Sequence, residues 1–470
     1  MTAPDTEGAV DLRGAAASLE QATSSGRPSR RLVFTLVAIA AVALAWRIFY
    51  VLAIRKTVGV NGPNDYFLNG DAYYYHQSAN LIAKGRWFVD PLYFLRLHTT
   101  LPSAGHPPFT SAYLSVFSFL GLDGVTDHRI AGSLMGAATV LIVGVVGWRV
   151  AGERTAILAA GVAAVYPLLW INDGMILGET AAQFAAALFL LAAYTFWRTP
   201  RRRNAMLLGL GFGLAALSRS EILLCFIIVV APLCLLAGRG ATARRERWKR
   251  LLVATTAAVM LMAPWMIFNT IRFGEPVLVT TGQGAVLSAG ACDDVFYGTY
   301  IGYTANCFQG PWAPRGANEV ERDAEPRRQA LEYIGDHLDR FPIVVAARVG
   351  RAWDVFKVRQ TTRLDWSLEG RGRGASWAGL LMFYALLPFA VGGLVRMRRT
   401  KVTILPIVGL AVSFTVAVAT TFGLPRYRAP FEVALVVVAA VGMDRALAWM
   451  DRRRPSAGSA VGGSPAAVVT

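Results

Sequence analysis

Charge is what this sequence has least of: 16% of its 470 residues are Asp, Glu, Lys or Arg, against 54% hydrophobic residues. That balance, with a mean hydropathy of +0.43, excludes an ordinary soluble protein and describes a polytopic membrane protein. Acidic residues are the scarcer sign, which leaves a formal charge of +17. In a soluble domain such an excess would point to nucleic acid. Here the basic residues fall in short clusters between apolar segments, the pattern that holds loops on the cytoplasmic side, so no nucleic-acid partner is expected. Lysine supplies only five of the 47 basic residues, which fits a GC-rich bacterial genome and says nothing of mechanism. The four cysteines include no Cys-x-x-Cys redox motif. His76, His98 and His106 are spaced like no familiar zinc site, and no carboxylate pair stands out, so neither metal nor cofactor is expected.

What is present is a series of apolar runs. Leu32 to Ile54 is long enough to span a bilayer, although Arg47 inside it must snorkel or find a partner. Further candidate spans are Ile130–Trp148, Thr155–Trp170, Thr180–Trp197, Ala205–Leu217, Ile222–Ala237, Leu251–Phe268, Trp377–Val395, Val402–Phe422 and Ala429–Trp449. The fold class is therefore all-α, with about ten transmembrane helices. With that count the clusters at Arg149 and Arg154, Arg198 to Arg203, Arg239 to Arg250, Arg396 to Lys401 and Arg452 to Arg454 all lie inside. Phe109 to Leu122 is short and is assigned as a juxtamembrane helix.

This topology divides the chain into a disordered cytoplasmic tail (1–31, with no apolar run and so no cleavable signal), a transmembrane core (32–268) holding a first external loop (55–129), an external region (269–376), C-terminal spans (377–450) and a second disordered tail (451–470). The expected location is a bacterial plasma membrane, multi-pass, with both termini cytoplasmic. Within the external region, Asn318 to Phe356 has helical spacing. Cys292 and Cys307, fifteen positions apart in an oxidising compartment, are expected to form a disulfide, whereas Cys225 and Cys234 read as buried hydrophobes.

The polar groups of interest gather on the external side. Asp71, in NGDAYYYHQSANLIAKG, either caps the helix that follows or serves as a general base, and the two roles can coexist. Tyr74 and Tyr75 share its stretch. Arg426 and Arg428 bracket Tyr427 at the start of the last span, where they either meet lipid headgroups or clamp a phosphate bidentately. Arg219 either pairs locally with Glu221 or does the same. Glu179 opens a span, as a dipole-favoured helix charge or a substrate contact. His106, in Gly105-His106-Pro107-Pro108, stands before the juxtamembrane helix.

An acid followed by aromatics in the first external loop, then HPP, GWRVAGERTAILAAGVAAVYPLLW, ILGET, LSRSE, APWMIFNTIRFGEPVLVT and RYRAPFE, resembles the GT-C glycosyltransferases that use polyprenyl-phosphate sugars. The resemblance is especially to protein O-mannosyltransferases and lipid A aminoarabinose transferases, over most of residues 65 to 435. The resemblance implies an outward-facing cavity, a lipid-linked sugar donor and no further cofactor. It also implies Asp71 as catalytic base, with His106, Arg219 and Arg426 or Arg428 near the donor phosphate. Tyr74, Tyr75, Glu179, Glu221 and Arg272 are the remaining substrate-side candidates. Two departures stand out. Asp71-Ala72 replaces the Asp-Glu of protein O-mannosyltransferases, and Phe268-Asn269 replaces an Arg-Asn, with Arg272 as a possible substitute. The expected activity is inverting transfer of a hexose or pentose to an extracytoplasmic protein, lipid or glycan. The alternative is a transporter or flippase of lipid-linked sugars, which calls for charges at the midplane of several spans.

Overall fold

The computed structural model describes residues 28–55, 70–238, 240, 242–309 and 317–453. Most of both expected tails lies outside these residues, as does Asn69. Helices carry the fold, and among the described residues the pairing of Val89 with Pro102 is an isolated bridge. Among the described residues six helices are long and apolar enough to cross a membrane: Arg30–Ile54, Val125–Ala151, Gly178–Arg198, Arg244–Phe273, Arg373–Arg399 and Pro425–Asp451. The chain is a multi-pass membrane protein. The other expected spans correspond to shorter helical stretches, so helix length by itself supports six crossings rather than ten.

Proline sets two of those shorter stretches. Pro167 lacks an N–H and drives Tyr166 to an extended backbone, which splits the expected 155–170 span into Glu153–Val165 and Pro167–Trp170. Pro232 acts differently: Ala231 before it stays helical, but Pro232 brings no N–H to the ladder, and 220–236 runs as a 3-10 turn, a π turn at Phe226–Val230 and a short α-helix. Arg244–Phe273 tolerates Pro264 and stops at Gly274, whose positive φ of 73° suits a left-handed cap. Arg272 therefore sits in a last helical turn. The juxtamembrane helix is Pro108–Phe119, only 12 residues long.

The hub is the last helix, whose residues from Val433 to Val441 are all buried. It packs on Arg373–Arg399, Glu153–Val165 and Gly178–Arg198. Its crossing with Arg373–Arg399 depends on two glycines: a Cβ on Gly393 would lie 1.9 Å from the Val438 carbonyl, and one on Gly442 would lie 1.9 Å from the Phe389 carbonyl. Small residues that let backbones touch are what hold helices together where lipid offers no hydrophobic drive. Because this helix is pinned, the turn at its start, Pro425–Arg428, is fixed in space.

Arg47 finds its partner in Asp173, 2.6 Å away with both side chains buried, and Asp173 also accepts from Thr180 at 3.0 Å. His76 also finds a buried partner. It lies buried between helices Gly70–Ala83 and Val125–Ala151, with Nδ1 3.0 Å from His128 Nδ1, while His128 Nε2 lies 3.0 Å from Ser118 Oγ. Burial, aided by Arg129 and opposed by Asp123, lowers the His76 pKa from 6.5 to about 4. On acidification the unfolded chain takes up this proton first. The stability contributed by neutral His76 is thus complete above about pH 6.5 and is lost as pH falls towards 4, by up to about 1.4 kcal/mol per pH unit. Thermal melts in detergent between pH 7 and 4 should show this decline, and His76→Gln should make it shallower without removing it, because buried His128 remains.

Candidate active site

The first turn of Gly70–Ala83 carries Asp71. It occupies a position inside the helix start, where the dipole favours a carboxylate. Tyr75, Ala79 and Leu114 pack this helix against Pro108–Phe119. That packing sets His106 beside Asp71, with Nε2 3.7 Å from Oδ1. The imidazole is held by its neighbours: its Nδ1 lies 3.5 Å from the Tyr75 hydroxyl, and its ring centroid is 4.4 Å from that of Tyr74.

Two guanidinium groups complete the arrangement. Arg426 pairs with Asp71 through Nη2, with Glu369 at 2.9 Å through Nη1, and with Glu179 at 2.8 Å through Nε. Arg219 pairs with Glu221 at 2.6 Å and with Glu179 at 3.5 Å, and its guanidinium lies 4.6 Å above the Tyr427 ring. Glu179 is fully buried, joins both arginines, and keeps Oε2 without a hydrogen-bond partner in the protein. Burial alone would raise the Asp71 pKa. Arg426, His106 and Arg219 together outweigh it, Arg426 most of all, and the carboxyl is held well below the ordinary carboxylate range. Tyr75 is pushed well above its usual value by burial, then by Asp71 and Glu179, and stays a neutral phenol.

These groups open on a cavity of about 660 Å³. Its lining includes the polar Asp71, Tyr75, His106, Arg219, Glu221 and Arg426 and the apolar Leu224, Val286, Leu287, Val416 and Phe422. The Asp71 side chain is 30% exposed, so it is open to a reactant.

Other candidates lie elsewhere. Arg428 is fully buried and points away from this cavity, donating to the Ala352 carbonyl at 2.8 Å and Asp354 at 3.0 Å, and to Glu432. Such a guanidinium has nothing left for a phosphate and serves as a structural pair. Arg272 donates to the carbonyls of Phe88 at 2.7 Å and Ser103 at 3.1 Å, which ties the first loop to its helix. Tyr74 reaches Ser103 at 2.8 Å and meets the site through its ring. Cys292 and Cys307 form a disulfide in the long loop. Sequence reasoning missed Glu369, a third partner of Arg426, because its polar surroundings carry no motif.

Residues 105–268 match the family model of dolichyl-phosphate-mannose-protein mannosyltransferases. No curated protein sequence matches the chain. Among solved structures the chain is similar to apo ArnT from Cupriavidus metallidurans, with a TM-score of 0.52 and 15% identity over 88% of this chain and 61% of that one. The fold is that of the GT-C glycosyltransferases. ArnT bound to undecaprenyl phosphate gives 0.42 and 17% over 88% and 79% of the two chains. The archaeal oligosaccharyltransferase AglB from Archaeoglobus fulgidus, in complex with an inhibitory peptide and a dolichol-phosphate, gives 0.47 and 15% over 93% and 53%. The GT-C-like chain thus spans about three fifths of apo ArnT and about half of AglB.

Proposed function

We propose that this chain is a membrane glycosyltransferase that moves a sugar from a polyprenyl-phosphate carrier to an acceptor outside the cytoplasm. The observation that carries this reading is the mixed lining of one cavity, where an accessible carboxylate and two arginines stand together with apolar side chains suited to a lipid. The acceptor hydroxyl attacks the anomeric carbon as its proton passes to Asp71. The bond from that carbon to the phosphate oxygen breaks, and the electron pair stays with the phosphate, whose charge Arg219, Arg426 and His106 receive. A single displacement inverts the anomeric centre.

The resting site also explains how the base is kept in reserve. Arg426 is shared among three carboxylates, so an arriving phosphate competes with Asp71 for it. As the guanidinium turns to the phosphate, Asp71 loses its strongest stabilising neighbour and becomes more basic in the complex that needs it.

The test is reconstitution in proteoliposomes with a panel of undecaprenyl-phosphate hexoses and pentoses and a cell-envelope extract as acceptor source. Chain-dependent release of undecaprenyl phosphate, with sugar label moving to the extract, is expected. Movement of intact lipid-linked sugar across the bilayer without that release would contradict the reading.

A further inference from the structure

The long loop contributes to the cavity from a distance. Its helix Glu319–Asp336 starts at Asn318, whose side chain caps Val320 and Glu321 while Glu321 caps the Asn318 N–H in return. This double cap fixes where the helix begins and so where Glu319 points. Glu319 lies outside the cavity, yet its carboxylate collects three donors from the cavity's rim. Oε1 accepts from the Ser103 hydroxyl at 2.5 Å, and Oε2 accepts from the Ala104 N–H and the Thr281 hydroxyl, each at 2.6 Å. The Thr281 N–H in turn donates to the Ala104 carbonyl at 2.9 Å. Thr281, Gly105 and His106 all face the cavity.

Both supports of His106 lead back to this carboxylate. Its backbone follows directly from Ala104 through Gly105, where an added Cβ would stand 3.4 Å from Glu319 Oε1. The ring of His106 rests against Tyr74, and the Tyr74 hydroxyl lies 2.8 Å from Ser103 Oγ. Since Ser103 gives its proton to Glu319, Tyr74 gives its own to Ser103. One face of the helix repeats the pattern. Arg322 reaches Asp90 at 3.3 Å, and Asp323 accepts from the N–H groups of Gly284 at 2.7 Å and Ala285 at 2.9 Å. Positions 319, 322 and 323 share a side of the helix, which thereby fastens the first loop to the segment after Arg244–Phe273.

We propose that Glu319 is the positioning residue for His106, fixing both its backbone and the tyrosine ring it packs on, and that the long loop's helix exists in part to supply it. This rests on the reading that His106 faces the donor phosphate. Glu319 touches no substrate and acts through Ser103, Ala104 and Thr281.

The test uses the full chain in nanodiscs with undecaprenyl phosphate as probe, measuring Kd for the wild type, His106→Ala, Glu319→Ala, Glu319→Gln and the His106→Ala/Glu319→Ala double variant. His106→Ala is expected to weaken binding about tenfold, the scale of a lost hydrogen bond to a charged group. Glu319→Ala should approach the same loss, and the double variant should stay within about twofold of His106→Ala, because the second change removes a support whose object is already gone. Glu319→Gln, which keeps the volume and one acceptor, should recover part of the affinity. Wild-type affinity in both Glu319 variants beside a weakened His106→Ala, or losses that multiply to about a hundredfold, would overturn the positioning role alone. Wild-type affinity in His106→Ala would overturn the donor-site reading and this role with it.

Discussion

Asp71→Asn is expected to leave a folded protein that binds the polyprenyl-phosphate carrier and loses all but a trace of sugar transfer. Asn fills the same volume, and Arg426 keeps Glu179 and Glu369 as partners, so the turn at the start of the last helix stays occupied. What disappears is the acceptor of the hydroxyl proton, a contribution of about 10²- to 10⁴-fold in rate when a positioned general base is removed. Carrier affinity moves the other way. With one carboxylate neutral, Arg426 has one competitor fewer, and undecaprenyl phosphate should bind at least as tightly as in the wild type. Turnover measured at saturating donor beside equilibrium binding separates the two effects. Full turnover in Asp71→Asn would remove Asp71 from the mechanism.

The second large effect distinguishes two arginines that stand two residues apart. Arg426→Ala strips a cation from three carboxylates in a mostly buried site, and removing one partner from such a cluster costs about 3–5 kcal/mol of stability. It also deletes the group that takes up the leaving phosphate, so transfer by whatever protein remains folded should fall by about a thousandfold. Arg428→Ala strips Asp354 and Glu432 of theirs and should destabilise the protein comparably. Its folded fraction, however, should keep the carrier affinity of the wild type. Arg426→Lys, which keeps the charge, cannot fork to three carboxylates and should remain impaired. Melting temperatures and turnover corrected for folded protein give both readouts.

That contrast also shows where sequence reading stops. Apolar runs mark the helices because their residues meet lipid or one another, and Pro167 and Pro232 mark where those helices change course. Arg47 announces from within its run that it needs a partner, but nothing in the sequence names Asp173, which lies 126 positions away. The Pro425–Arg428 turn presents two arginines with equal claims. Only its 3-10 geometry, set by the buried helix behind it, sends Arg426 to the cavity and Arg428 into the protein. His76 and His106 are parted in a similar way, one by a helix face and the other by the prolines that follow it. Glu369 meets Arg426 across 57 positions and Glu319 meets Ser103 across 216, and neither contact carries a local pattern, so geometry alone discloses them.

The most direct test of this account is equilibrium binding of undecaprenyl phosphate to the full-length chain in nanodiscs, compared between the wild type, Arg426→Ala and Arg428→Ala at matched amounts of folded protein. A donor phosphate held by the charged residues that line the cavity predicts affinity at least about tenfold weaker in Arg426→Ala and unchanged in Arg428→Ala. Equal affinity in the wild type and Arg426→Ala would contradict it.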